Sequence, residues 1–289
     1  MTSATHEKLD VYLRERLKSR KSVYMPYITL GDPDFAHSVE FAISMIDAGA
    51  DILELGIPFS DPTADGPVIQ AAMVRAMGQA DFSLSRVLET AQAIHEARPE
   101  VPLVFLSYFN PIVNGLRPAD SKPGYRADEG LIAFLERARR AGVRGLVIPD
   151  LPFDAPESEL LRELVGKYDM HQILMVAPNT GEERLRAIAT AASGFVYYVT
   201  SLGVTGLRSS LPPDLAARID RVRQLSGLPV MAGFGFSEPA QAAGLAGALD
   251  GIIVGSLNQR TIAEQGTRAG PALAKLTAAF AAASHDGRT

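Results

Sequence analysis

Eight short apolar runs recur along this chain, and a helical pattern follows most of them. Each run is almost continuously apolar, as expected for strands of a parallel sheet that helices cover on both faces. The predicted strands are Val23–Thr29, Asp51–Leu55, Pro102–Ser107, Gly145–Ile148, Gln172–Val176, Phe195–Thr200, Pro229–Ala232 and Gly251–Val254. Eight strand–helix units in 289 residues predict an α/β fold, a single (β/α)8 TIM barrel that spans residues 1–289.

A doubly wound open sheet is the alternative architecture. Such a sheet is expected to carry a glycine-rich dinucleotide motif after its first strand, and the turn Thr29–Pro33 (TLGDP) lacks that motif. Before the first strand, Leu9, Tyr12, Leu13 and Leu17 share one face of a helical pattern. This pattern predicts an extra N-terminal helix that covers one end of the barrel.

Several local signals predict where the helices begin and end. Ser83 is a candidate N-cap, and Asp154 and Thr180, each followed three residues later by glutamate, also resemble capped starts. The pairs Ala48-Gly49 and Ala141-Gly142 are typical of helix C-termini.

Composition excludes several classes of function. A net charge of −5 argues against a nucleic-acid or anionic-membrane surface, and the absence of cysteine excludes disulfides and thiol nucleophiles. No histidine pair has metal-ligand spacing, so we expect no metal site. The polar N-terminus and the lack of a long apolar run predict a cytoplasmic protein.

The longest irregular stretch is predicted at about 110–130, after the third strand. It is rich in proline, glycine and charge. A flexible surface insertion is one interpretation, and a lid or partner-docking loop at the barrel mouth is the other.

Glu54 is the first candidate for chemistry. Side chains alternate along a strand, so Ile52 and Glu54 are predicted to face the barrel interior, whereas Leu53 and Leu55 face the helices. Burial raises the pKa of a carboxyl group toward the range useful for proton transfer. The alternative is a structural glutamate that pairs with an arginine or with backbone donors.

Asp65 follows in a loop rich in glycine and proline. Asp65-Gly66-Pro67 is typical of a helix start, so local sequence alone favours an N-cap over catalysis. Asp32 and Asp150 also follow predicted strands, and each is expected either to anchor a loop or to face the site.

Glycine-rich turns follow the last three strands, at Gly203–Gly206, Gly233–Ser237 and Gly255-Ser256. Glycine lets backbone N–H groups approach an anion, and a helix predicted to start just after Gly255-Ser256 adds its positive dipole end. These turns predict a phosphate cradle, and tight turns without a ligand are the alternative. Tyrosines on or after strands one, three and six either line an aromatic pocket or pack in the core.

The segments PYITLGDPD, ELGIPFSDPTADGPVIQ, GVTG, GFGFS and IIVGS together resemble the tryptophan synthase alpha chain family over nearly the whole sequence. The resemblance implies cleavage of indole-3-glycerol phosphate into indole and glyceraldehyde 3-phosphate. It implies no cofactor in this chain. The implied partner is a beta chain with its own pyridoxal phosphate, in an alpha2beta2 heterotetramer. The stretch Leu116–Arg126 is longer than usual for that family, close to the face that meets the beta chain.

The resemblance also assigns roles to individual residues. Glu54 matches the general acid–base, and Asp65 matches the carboxylate that holds the indole N–H. The implied substrate-binding residues are Tyr27, Leu106, Tyr108, Tyr197, Thr205 and Phe234. The implied phosphate-binding residues are Gly206, Gly235, Gly255 and Ser256.

Three other functions stay open at this point. One is a stand-alone indole-3-glycerol phosphate lyase, and another is a catalytically silent, regulatory phosphate-binding barrel. A phosphosugar isomerase is the third, although it leaves the pairing of Glu54 with Asp65 unexplained.

Overall fold

The protein is a closed barrel of eight parallel strands, in which each strand pairs with its neighbours in chain order and β8 returns to β1. The computed structural model describes residues 8–117, 127–199, 215–233 and 235–286. The strands are β1 (Val23–Thr29), β2 (Leu53–Gly56), β3 (Leu103–Leu106), β4 (Val143–Val147), β5 (His171–Val176), β6 (Val196–Val199), β7 (Val230–Gly233) and β8 (Gly251–Val254). The predicted barrel is confirmed.

Helices surround the barrel and cover its amino-terminal end. They are α1 (Leu9–Leu17), α2 (Phe35–Asp47), α3 (Pro67–Met77), α4 (Leu84–Ala97), α5 (Phe109–Asn114), α6 (Ala127–Arg140), α7 (Pro156–Lys167), α8 (Glu182–Ala191), α9 (Leu215–Ser226), α10 (Pro239–Ala243), α11 (Ser256–Gln265) and α12 (Gly270–Asp286). Within the described ranges, no helix has the length and apolar character needed to cross a membrane.

The two faces of the strands form two apolar clusters. Ile52 belongs to the cluster inside the barrel, whereas Leu53 and Leu55 belong to the cluster between strands and helices. The predicted alternation of β2 is therefore confirmed. It places Glu54 on the interior side.

The N-terminal helix α1 closes one end of the barrel, as predicted. Leu9 and Leu13 are fully buried and join the interior cluster. The Tyr12 hydroxyl donates a hydrogen bond to the Asp51 carbonyl at 2.7 Å. Because α1 seals the amino-terminal end, the accessible mouth lies at the carboxyl ends of the strands.

The stretch predicted to be irregular at 110–130 contains helix at both ends. Helix α5 occupies Phe109–Asn114, with Ile112 and Val113 buried, and α6 begins at Ala127. The prediction of one long loop was wrong there. Burial of Ile112 and Val113 stabilises the helix by more than Pro111 and the nearby glycines destabilise it. Residues 118–126 lie outside the described residues.

Two of the predicted N-caps were also wrong. Ser83 does cap α4, and its side chain accepts a hydrogen bond from the Arg86 N–H. The Asp154 carboxylate instead pairs with Arg184, and Thr180 accepts a bond from the Ala177 N–H. Helices α7 and α8 each begin one residue later than predicted, with Ala155 and Gly181 as their N-cap residues.

Candidate active site

Glu54 lies inside the barrel near the carboxyl end of β2. Its Cα is in register with Tyr27 of β1 on one side and Val104 of β3 on the other. The residue is 1% exposed, and its side chain lines a cavity at the barrel mouth.

No donor among the described residues compensates the Glu54 carboxyl group. Its Oε1 is buried and accepts no hydrogen bond from any of them. Burial, reinforced by the nearby charge of Asp65, raises the pKa of Glu54 from 4.5 to about 8. Glu54 is therefore protonated at neutral pH and can deliver a proton to a substrate in the cavity.

Asp65 approaches the same cavity from the loop between β2 and α3. Its carboxylate Oδ2 accepts a hydrogen bond of 2.6 Å from the Tyr108 hydroxyl. The N-cap of α3 is Gly66, without a side-chain cap, so the interpretation of Asp65 as an N-cap was wrong. Gln70 of α3 instead braces the loop by donating to the Asp65 carbonyl at 2.8 Å.

The two carboxyl groups differ in their surroundings. Burial raises the pKa of Asp65 as well, but the hydrogen bond from Tyr108 acts in the opposite direction and favours the ionised form. Glu54 Oε1 accepts no such bond from the described residues. The hydrogen bond from Tyr108 therefore favours a negative charge on Asp65 over one on Glu54.

Two tyrosines line the cavity beside Glu54. The Tyr27 hydroxyl shares a 2.9 Å hydrogen bond with the Thr29 hydroxyl, and burial raises the pKa values of both Tyr27 and Tyr197. Glycines leave room for these rings. A Cβ at Gly56 would collide with the Tyr27 hydroxyl, and one at Gly233 would lie 2.9 Å from the Tyr197 hydroxyl.

On the late strands, the structure brings three predicted phosphate-binding residues to the same cavity. Gly235, Gly255 and Ser256 line it. Helix α11 starts at Ser256, one residue earlier than predicted, and no side chain of the described residues caps its N-terminus. Free N–H groups and the helix dipole make such an end attractive to an anion.

The predicted residues Thr205, Gly206 and Phe234 lie outside the described residues. Leu106 lines the cavity, whereas Tyr108 lies beside it and reaches Asp65. Asp32 and Asp150 both anchor neighbouring segments, since Asp32 binds the Arg75 guanidinium and Asp150 accepts from the Phe109 N–H.

Sequence reasoning missed several apolar residues that line the cavity. They are Ala64, Ile69, Pro149, Met175, Val199 and Ile253. Ile253 was detectable, because it alternates with Ile252 along a predicted strand. Ile69 and Pro149 carry no such signal, because the side that a loop or first helical turn presents to a cavity depends on tertiary structure.

The fold and the site define a (β/α)8-barrel enzyme with two buried carboxyl groups, Glu54 and Asp65, at its mouth. The model of one family, described as tryptophan synthase alpha chain, matches residues 13–286. The chain belongs to this family, and it is a lyase that cleaves indole-3-glycerol phosphate.

Individual relatives agree with the family match. The tryptophan synthase alpha chain of Leptospira interrogans is 47% identical over 249 residues, which cover 86% of this chain and 89% of that one. The Geobacillus stearothermophilus protein of the same name is 38% identical, with 85% of each chain covered. A crystal structure of the Legionella pneumophila alpha chain has a TM-score of 0.81 at 32% identity and covers 96% of both chains.

Proposed function

We propose that Glu54 and Asp65 divide the chemistry of indole-3-glycerol phosphate cleavage between them. Glu54 donates its proton to C3 of the indole ring, and Asp65 holds the ring N–H and stabilises the positive charge that develops there. The observation that carries this proposal is the unequal support of the two carboxyl groups, because only Asp65 receives a hydrogen bond from a described residue.

Glu54 acts first as the acid and then as the base, so that its proton is restored at the end of the reaction. Protonation at C3 converts the indole into an iminium-like tautomer with its positive charge toward nitrogen. The ionised Glu54 then removes the proton of the hydroxyl on the carbon attached to C3. The C–C bond breaks, its electrons restore the aromatic ring, and the hydroxyl carbon becomes the aldehyde of glyceraldehyde 3-phosphate.

The other residues of the cavity bind the indole ring and the phosphate group of the substrate. Tyr27, Leu106 and Tyr197 pack against the indole. The resemblance also assigns substrate binding to Thr205 and Phe234, which lie outside the described residues. Gly235, Gly255 and Ser256, together with Gly206, hold the phosphate at the start of α11. In this proposal the phosphate binds at the late strands and the indole binds over β1–β3, so that the reacting carbon lies near Glu54.

We further propose that the chain works without a cofactor, because the step needs only an acid, a base and a charge that stabilises the iminium. Its partner is a tryptophan synthase beta chain, in an alpha2beta2 heterotetramer in the cytoplasm. The beta chain uses its own pyridoxal phosphate and consumes the indole. Membership of the tryptophan synthase alpha chain family supports the beta-chain partner.

Replacing the acid tests the mechanism most simply. Glu54→Gln keeps the shape of the protonated side chain but cannot donate the proton, so kcat for indole release should fall by about 10²- to 10⁴-fold. Glu40→Gln is the control, because it changes an exposed glutamate on α2 in the same way. Near-normal turnover by a folded Glu54→Gln protein would refute the assignment.

Adding a purified beta chain tests the partner. Indole formation from indole-3-glycerol phosphate should rise strongly in its presence, and gel filtration should show one larger complex. A chain that is fast alone and indifferent to the beta chain would instead be a stand-alone lyase.

A further inference from the structure

The Tyr108 hydroxyl has a hydrogen-bond geometry that fixes which way its proton points. The backbone N–H of Ala64 donates to this oxygen at 3.0 Å, and the oxygen lies 2.6 Å from the Asp65 carboxylate. A backbone N–H can only donate, so it occupies a lone pair of the hydroxyl. The single hydroxyl proton is left for Asp65.

Tyr108 is itself held rigidly by the barrel. It lies two residues after the end of β3, is 1% exposed, and stacks on Phe59 with ring centroids 5.2 Å apart. The Asp150 carboxylate accepts a hydrogen bond from the next N–H, that of Phe109, at 3.0 Å. The hydroxyl therefore has a fixed position. It forms hydrogen bonds with two consecutive loop residues, Ala64 and Asp65.

The two oxygens of the Asp65 carboxylate differ in the bonds that the described residues give them. Only Oδ2 accepts a hydrogen bond from the described residues, and the side chain lines the cavity. The titratable groups that face Asp65 within the described residues are Tyr108 after β3, Glu54 on β2, Tyr27 on β1 and Tyr197 on β6. Of these four, Tyr108 alone forms a hydrogen bond with the carboxylate.

We propose that Tyr108 is a positioning residue whose hydroxyl keeps Asp65 ionised and aims its free oxygen into the cavity. It acts through Asp65. Because Tyr108 donates a hydrogen bond to Asp65 and not to Glu54, it favours the negative charge on Asp65. This inference rests on the proposed role of Asp65 in holding the indole N–H.

The test compares Tyr108→Phe with wild type across pH. The substitution removes one oxygen and retains the ring that stacks on Phe59. Hydrogen bonds to charged groups are among the stronger ones, so kcat should fall about tenfold. The acidic limb of the kcat profile, which reports ionisation of Asp65, should move up by about one pH unit, whereas the alkaline limb should stay in place.

Two further variants make the result decisive. Tyr12→Phe removes a buried tyrosine hydroxyl bond of 2.7 Å at the opposite end of the barrel, and it should leave both limbs unmoved. Asp65→Asn should lower kcat about 100-fold, and its residual activity should lack the acidic limb.

An acidic limb that is unmoved in Tyr108→Phe overturns the inference, whatever the fall in kcat, because a purely structural role would lower kcat alone. An acidic limb that persists in Asp65→Asn also overturns it, since the limb then belongs to another group. Near-normal activity of Asp65→Asn would instead refute the proposed function. Because that outcome appears in a different variant, the two failures are distinguishable.

Discussion

Asp51 and Glu54 are buried to the same extent, three residues apart, at opposite ends of the barrel. Among the described residues, hydrogen-bond donors compensate Asp51 but not Glu54. The Asp51 carboxylate accepts from the Tyr24 N–H at 2.8 Å, lies 2.7 Å from the His285 ring nitrogen, and forms an ion pair with Arg20. No described residue offers Glu54 an equivalent bond. Both groups lose their hydration, but only one receives replacement donors.

The difference distinguishes a buried acid that stabilises the fold from a buried acid that is suited to proton transfer. A buried carboxylate with several donors stays charged and ties segments together, here the segments before β1 and β2 and the end of α12. A buried carboxyl group without donors holds its proton, which is useful at a site that must transfer one. The comparison predicts that Glu54 can be replaced without harm to the fold, whereas Asp51 can be replaced without harm to the chemistry.

The largest expected effect concerns how the free energy of unfolding depends on pH. Between about pH 4.5 and 8 the folded protein retains a proton on Glu54 that the unfolded chain has released, so the free energy of unfolding falls as pH rises. Glu54→Gln removes this loss and should be more stable than wild type by up to about 5 kcal/mol at pH 8.5. At pH 4 the two proteins should be equally stable. Urea unfolding at both pH values measures the difference, and parallel behaviour of the two proteins would contradict it.

Asp51→Asn should have the opposite outcome. It leaves the Arg20 guanidinium without its counter-charge and should lower the free energy of unfolding by about 3 kcal/mol. The fraction that stays folded should retain near-normal kcat for indole release. A folded Asp51→Asn protein as inactive as Glu54→Gln would show that the two ends of the barrel are not functionally separate.

His285→Gln should give the smallest effect. Asp51 keeps Arg20 and the Tyr24 N–H, so loss of one bond should cost about 1 kcal/mol in urea unfolding, with kcat unchanged. A cost equal to that of Asp51→Asn would mean that His285, rather than Arg20, supplies most of the compensation.

The sequence predicted the barrel well because its strands are locally encoded. Val23–Thr29 and Gly251–Val254 were predicted with the observed bounds, since each is an uninterrupted apolar run between turn signals. The interior position of Glu54 followed from the same alternation. Its assignment as the acid depended on resemblance, because spacing alone left a structural glutamate open.

Predictions that depended on a polar side chain near a helix start were less accurate. Asp154 and Asp65 both resemble N-caps, but each binds a residue distant in the chain, Arg184 in one case and Tyr108 in the other. Tyr108 was expected only to line the indole pocket. Its contact with Asp65 spans 43 residues, and no local pattern encodes such a pairing.

The protonation state of Glu54 is the central claim, and infrared difference spectroscopy between wild type and Glu54→Gln measures it directly. Spectra recorded from pH 4 to 10 report the fraction of this one side chain that carries a proton. We expect a protonated carboxyl signal at pH 7 that disappears with a midpoint near pH 8. A carboxylate signal already complete at pH 6, with a midpoint near the ordinary value of 4.5, would contradict the account.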